Sequence, residues 1–151
     1  VLPALVQAMA RQNVSLIEQP LARGSEADLE GFESPIPIAA DESVLDLADV
    51  PGLVGRFQVV NIKLDKCGGL TEALLMAKEA RRLGLGVMVG NMVGTSLAMA
   101  PAFILGQLCD YVDLDGPTFL KEDRVPSVQY SDGEIWCPDD VWGSQSAVLA
   151  A

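Results

Sequence analysis

The residues able to do chemistry stand at the ends of short apolar runs. Glu18 closes one, Asp41 the next and Lys63 a third, and Asp113 and Asp115 lie together in the last. Several carboxylates held near one point repel each other, and a hard divalent cation with oxygen ligands, such as Mg²⁺, resolves that repulsion. A lysine beside such a cation, partly withdrawn from water, has its pKa lowered and can act as a general base near neutral pH. Plainer readings compete. Glu18 before Gln19-Pro20 fits a surface loop, Asp41 before Glu42-Ser43 fits a helix start, and Asp113 and Asp115 fit a solvated loop. Lys63 between Ile62 and Leu64 resists that treatment, because a lysine on the inward side of a buried strand is costly unless paired or functional.

Composition narrows the chemistry further. The 151 residues contain no histidine, which removes Ser-His-Asp and Cys-His catalysis and every histidine metal site. Acid–base work falls to Lys, Asp, Glu, Tyr or Cys. The three cysteines, Cys67, Cys109 and Cys137, are widely spaced and form no CxxC pair, which argues against a disulfide framework or a structural zinc site. A reducing, cytoplasmic location is the simple expectation. Ten basic against 21 acidic residues give a formal charge of −11. That sign argues against nucleic acid and against anionic membrane surfaces. Mean hydropathy is +0.29, too high for a disordered chain.

The elements that must position these residues alternate. Five apolar runs read as strands, at 15–20, 36–42, 59–65, 85–91 and 111–116. They begin one βα unit apart. Ser25 is expected to cap a helix over 27–32. A second helix is predicted over 70–83, with Leu74, Leu75 and Ala77 inward and Arg81 and Arg82 near its end. A third, over 96–108, is interrupted by Pro101. The stretch 83–108 carries no charge, but its glycines and Asn91 divide it into strand, loop and helix rather than a membrane span. This pattern specifies α/β architecture, a parallel sheet covered by helices. Side chains alternate along a strand, so Glu18, Asp41, Lys63, Asp113 and Asp115 converge if their faces line one barrel interior. Barrel active sites lie at that end of the strands. The tail differs: Asp132-Gly133 between apolar runs signals a hairpin.

Taken in order, these segments resemble the enolase superfamily, in its muconate-lactonizing-enzyme-like subgroup. The resemblance rests on Ile17-Glu18-Gln19-Pro20, on Ala40-Asp41-Glu42-Ser43 and on Asn61-Ile62-Lys63-Leu64-Asp65-Lys66-Cys67-Gly68-Gly69. The key residues are 23 and 22 positions apart (41 − 18 and 63 − 41). Asp113-Leu114-Asp115-Gly116-Pro117 and the loop Gly90-Asn91-Met92-Val93-Gly94 look like the dipeptide-epimerase branch.

The resemblance implies roles. Glu18 and Asp41 would be the second and third Mg²⁺ ligands, and Lys63 the acid/base lysine on one face of the substrate. Asp113 and Asp115 would hold the ammonium group of a dipeptide, and Asn91 and Met92 would line its pocket. Lys66, of opposite strand parity, reads as a loop or structural residue. The implied reaction is α-proton abstraction from a dipeptide of the L-Ala-D/L-Glu type, through an enediolate.

A full barrel takes ~250 residues. The expectation is therefore a C-terminal part of a TIM (β/α)8 barrel, its last five βα units, over 1–117. An extension over 118–151 would pack on a capping domain not present here. The first metal ligand and the opposite-face lysine would be missing too, so the chain alone should be inactive. Rival readings are o-succinylbenzoate synthase, N-acylamino-acid racemase or cycloisomerase within the superfamily, a Schiff-base aldolase barrel outside it, and a non-catalytic barrel segment. Oligomeric state, including a homo-oligomer, is left open.

Overall fold

A computed structural model describes residues 1–142. Helix α1 (Leu2–Ala10) precedes five parallel strands: β1 (Ile17–Glu18), β2 (Ile38–Ala40), β3 (Val59–Lys63), β4 (Gly86–Gly90) and β5 (Tyr111–Val112). They pair in sequence order, with no strand skipped. Glu18 stands opposite Ala39, Ala39 opposite Val59, and Lys63 opposite Gly90. This is an open α/β half-barrel of five strands.

Alternation sorts the side chains into two layers. Ile38, Ala40, Val60, Ile62, Val87 and Val89 face outward into the main core. Ala39, Val59 and Met88 point the other way and pack with Leu16 and Tyr111. That inner layer forms the floor beneath Glu18, Asp41, Asn61 and Lys63, which occupy the next inward positions of their strands. Burying the outward β-branched residues contributes about 1.5–3 kcal/mol each.

The strands are shorter than expected. The chain turns into helix α2 (Leu64–Cys67) directly after Lys63, so Leu64 and Asp65 leave the sheet. Gly68, with φ of 90°, ends that turn in the left-handed region that glycine tolerates. Helix α3 (Leu70–Arg82) follows. Its inward residues are Ala73, Met76, Ala77 and Ala80, whereas Leu74 and Leu75 are exposed, against expectation. Small residues let the helix approach the sheet closely. Leu75 lies on its flank beside Leu47 and Pro51, and Leu74 beside Leu108.

The helix expected at 27–32 is instead one 3₁₀ turn, Glu26–Leu29, and Ser25 makes no side-chain cap bond. Glu26 takes over by accepting from Gly24 N–H at 2.9 Å. Pro101 splits the third helical region into α4 (Ser96–Met99) and α5 (Ala102–Gly106). Among the described residues, no helix is long and apolar enough to cross a membrane.

The tail forms the expected hairpin, β6 (Gln129–Ser131) with β7 (Glu134–Trp136), around Asp132-Gly133. It is anchored on the half-barrel itself. Val128 is buried in the main core and its N–H donates to Ser96 Oγ at 2.9 Å, while Tyr130 Oη donates to the Leu114 carbonyl at 2.8 Å. Trp136 and Trp142 remain exposed. The end of the expected extension, 143–151, lies outside the described residues.

Candidate active site

The mouth of the half-barrel is organised around Asp41. Its carboxylate is almost buried, with 9% of the side chain exposed, and two ammonium groups hold it. Lys63 Nζ donates to Oδ2 at 2.8 Å, and Lys66 Nζ donates to Oδ1 at 2.5 Å. Lys66 also donates to the Asp41 carbonyl oxygen at 2.5 Å. Lys63 Nζ stands 4.0 Å from Glu18 Oε1. Asn61 Nδ2 donates to that same oxygen at 2.5 Å.

Charge states follow from these neighbours. Burial raises the Glu18 carboxyl above the usual glutamate value; the Asn61 bond opposes this and the Asp41 charge adds to it. Burial works against the charge on Asp41 as well, but the bonds from Lys63 and Lys66 outweigh it and hold this carboxyl low. Burial also disfavours the Lys63 ammonium, yet Asp41 and Glu18 more than compensate and hold its pKa above the usual lysine value. The two carboxylates facing it set this direction; the expected depression belongs to a lysine beside a bound cation. Neutralising them would leave burial unopposed and bring the lysine toward the range of a base.

Mg²⁺ is the cation the sequence resemblance implies, and the donors here suit it. Glu18 and Asp41 offer carboxylate oxygens on adjacent strands, the hard donors that divalent cations prefer. Beside them Asn61 Oδ1 is buried without a partner. Among the described residues, no group of three or more Asp, Glu, Cys or His gathers to hold a metal. The pair fits part of such a site.

Asp113 and Asp115 follow β5 and remain exposed. Burial of part of Asp113, together with the Asp115 charge, raises its pKa, and the Lys63 charge opposes this. Asn91 and Met92 follow β4. Met92 is half exposed and its N–H donates to Asp65 Oδ2 at 3.2 Å. Both polar atoms of the Asn91 side chain are buried without partners. A Cβ at Gly116 would collide with the Asn91 amide and the Met92 carbonyl, so Gly116 is what lets the two loops close on each other.

Sequence reasoning missed part of this arrangement. Lys66 reads as a loop or structural residue by strand parity, but its partner Asp41 is not foreseen, because the chain becomes helical at Leu64. Lys63 and Lys66 are then three residues apart on a helical path and meet on one side. The double glycine Gly68-Gly69 was the available signal for that turn. Asp65 left the Lys63 face for the same reason and supports the Met92 backbone instead.

The fold is thus an open parallel α/β half-barrel with a lysine and acidic residues at the carboxyl ends of its strands. Residues 3–141 match the family described as enolase C-terminal domain-like, and the chain belongs to it. It is 52% identical over 130 residues to an N-acetyl-D-glutamate racemase from Pseudoalteromonas, covering 86% of this chain and 41% of that protein. It is 46% identical over 134 residues to the L-Ala-D/L-Glu epimerase of Escherichia coli, covering 89% and 42%. Among solved structures, it superposes with a TM-score of 0.88 on an enolase family member from Agrobacterium tumefaciens. That protein has homology to dipeptide epimerases and bound sodium and L-Ala-L-Glu; identity is 48%, covering 93% of this chain and 44% of that one. A dipeptide epimerase from Methylococcus capsulatus complexed with Mg ion gives a TM-score of 0.82 at 32% identity, covering 91% and 42%. The chain spans about two fifths of the length of the relatives it matches.

Proposed function

We propose that the reading frame encoding this chain, at its full length, specifies a Mg²⁺-dependent dipeptide epimerase of the L-Ala-D/L-Glu type. The observation that carries the reading is Lys63 on the inner face, 2.8 Å from Asp41 and 4.0 Å from Glu18. The similarity to an L-Ala-D/L-Glu epimerase and to a relative with bound L-Ala-L-Glu supports it.

In this reading Lys63 Nζ takes the α-proton from one face of the substrate and returns it there in the reverse direction. A base on the opposite face and a first metal ligand are expected outside this chain, which by itself would be inactive. Glu18 and Asp41 would hold Mg²⁺, which supplies positive charge where negative charge develops on the substrate carboxylate. Asp113 and Asp115 would meet the dipeptide ammonium, and Asn91 and Met92 would line its pocket. The exposed Trp136 and Trp142 are surfaces that a capping domain would cover. Three free cysteines suit a reducing, cytoplasmic setting.

The racemase relative favours a second reading, racemisation of N-acylated amino acids. Such substrates lack the ammonium that an Asp pair would recognise. Steady-state kinetics of the full-length protein on Ala-Glu and on N-acetylglutamate separate the two. Higher kcat/KM for Ala-Glu supports the dipeptide reading; higher kcat/KM for N-acetylglutamate replaces it.

A further inference from the structure

Gln19 follows Glu18 directly and reaches across to the loop that carries Asp41. Its Oε1 accepts from the Asp41 N–H at 2.9 Å and from the Ser43 N–H at 3.3 Å. Its Nε2 donates to Ser43 Oγ and to the Leu21 carbonyl, each at 2.8 Å. The carboxamide thus uses all four of its hydrogen-bonding positions. The backbone at Gln19 has φ of 38°, a left-handed conformation uncommon for a residue other than glycine. Its own N–H donates to the Ala39 carbonyl at 2.9 Å.

Pairing of β1 with β2 is already made by the backbone ladder, so the side chain adds something beyond strand pairing. It ties the residue after one carboxylate to the backbone of the other. Asp41 is then held at its N–H by Gln19 and at its carbonyl by Lys66, which fixes the backbone from which the carboxylate projects, while Lys63 and Lys66 hold the carboxylate itself. We infer that Gln19 is a positioning residue that fixes the Glu18 and Asp41 carboxylates relative to each other for a shared divalent cation. This inference rests on the reading of Glu18 and Asp41 as cation ligands. Gln19 carries no charge, so its loss alters the geometry of the pair without altering the local charge. Groups that orient ligands from outside typically contribute 10–100-fold to metal affinity.

The test is Mg²⁺ titration by calorimetry on the full-length protein, with thermal melting alongside. Gln19→Met keeps the length of the side chain and removes all four hydrogen bonds. Arg81→Met is the control: it breaks the exposed Arg81–Asp110 pair at the opposite end of the strands. Gln19→Met should weaken Mg²⁺ binding about 10–100-fold. Arg81→Met should lower the Tm and leave Mg²⁺ affinity unchanged. If Gln19→Met fails to fold, Gln19→Asn, one methylene shorter, should show the same weakening. A folded Gln19 variant that binds Mg²⁺ as tightly as the unchanged protein overturns the positioning role alone. Absence of Mg²⁺ binding in the unchanged protein overturns the ligand reading, and this inference with it.

Discussion

Lys66 Nζ lies 2.5 Å from Asp41 Oδ1 and 2.5 Å from the carbonyl oxygen of the same residue. One ammonium therefore binds both the side chain and the main chain of the acid at the centre of the mouth. Removing it leaves the nearly buried Oδ1 without its donor, while the carbonyl keeps the Val44 N–H at 3.2 Å, and such a loss costs about 1–3 kcal/mol. Lys66→Met should lower the Tm accordingly, and urea unfolding should report the same difference. A variant as stable as the unchanged protein would refute the clamp.

Asp113 and Asp115 set the preference for a free ammonium in the proposed function. Charged hydrogen bonds contribute about 1.5–3 kcal/mol, or roughly 10–100-fold. Asp113→Asn with Asp115→Asn should lower kcat/KM for Ala-Glu by that factor and leave turnover of N-acetylglutamate unchanged or raised. Equal loss on both substrates would show a general structural role.

Glu26 is held at about pH 2 by Ser43 Oγ and the Gly24 N–H, against 4.5 in an unfolded chain. A depressed carboxyl stabilises the fold above its unfolded pKa and loses that contribution as pH falls through the folded one. Part of the acid-side loss of stability should therefore lie between about pH 4.5 and pH 2. Melting across that window should be flatter for Glu26→Gln, and an unchanged slope would show that Glu26 is not the group responsible.

Ser96 is fully buried, donates to Asp123 Oδ2 and accepts from the Val128 N–H. It joins α4 to the hairpin. Ser96→Ala leaves the buried Val128 N–H without its acceptor, while Asp123 keeps the Ser96 and Arg124 N–H groups on Oδ1, and should cost about 1–3 kcal/mol by denaturant titration. Limited proteolysis should then open the chain first near Val128. Protection equal to that of the unchanged protein would remove this link.

Strand parity made the inward placement of Glu18, Asp41 and Lys63 legible, because side-chain direction on a strand depends only on position. Parity failed where the strand ended early. Leu64 begins a helix, and that switch brought Lys66 to Asp41 and took Asp65 to Met92. Gln19 was illegible for another reason: its function lies in contacts across 22–24 residues, and no local pattern encodes them. Leu74 and Leu75 misled because hydrophobicity alone does not say whether the narrow gap above a sheet takes leucine or alanine. Here Ala73, Ala77 and Ala80 fill it.

The central claim is that Lys63 moves the α-proton of a dipeptide. The direct measurement is proton NMR of Ala-Glu incubated in D₂O with Mg²⁺ and the full-length protein. The account predicts loss of the α-proton signal of the glutamate residue, appearance of both epimers, dependence on Mg²⁺, and no epimerisation in Lys63→Ala. Epimerisation that persists unchanged in Lys63→Ala, or no exchange on any dipeptide offered, would contradict it.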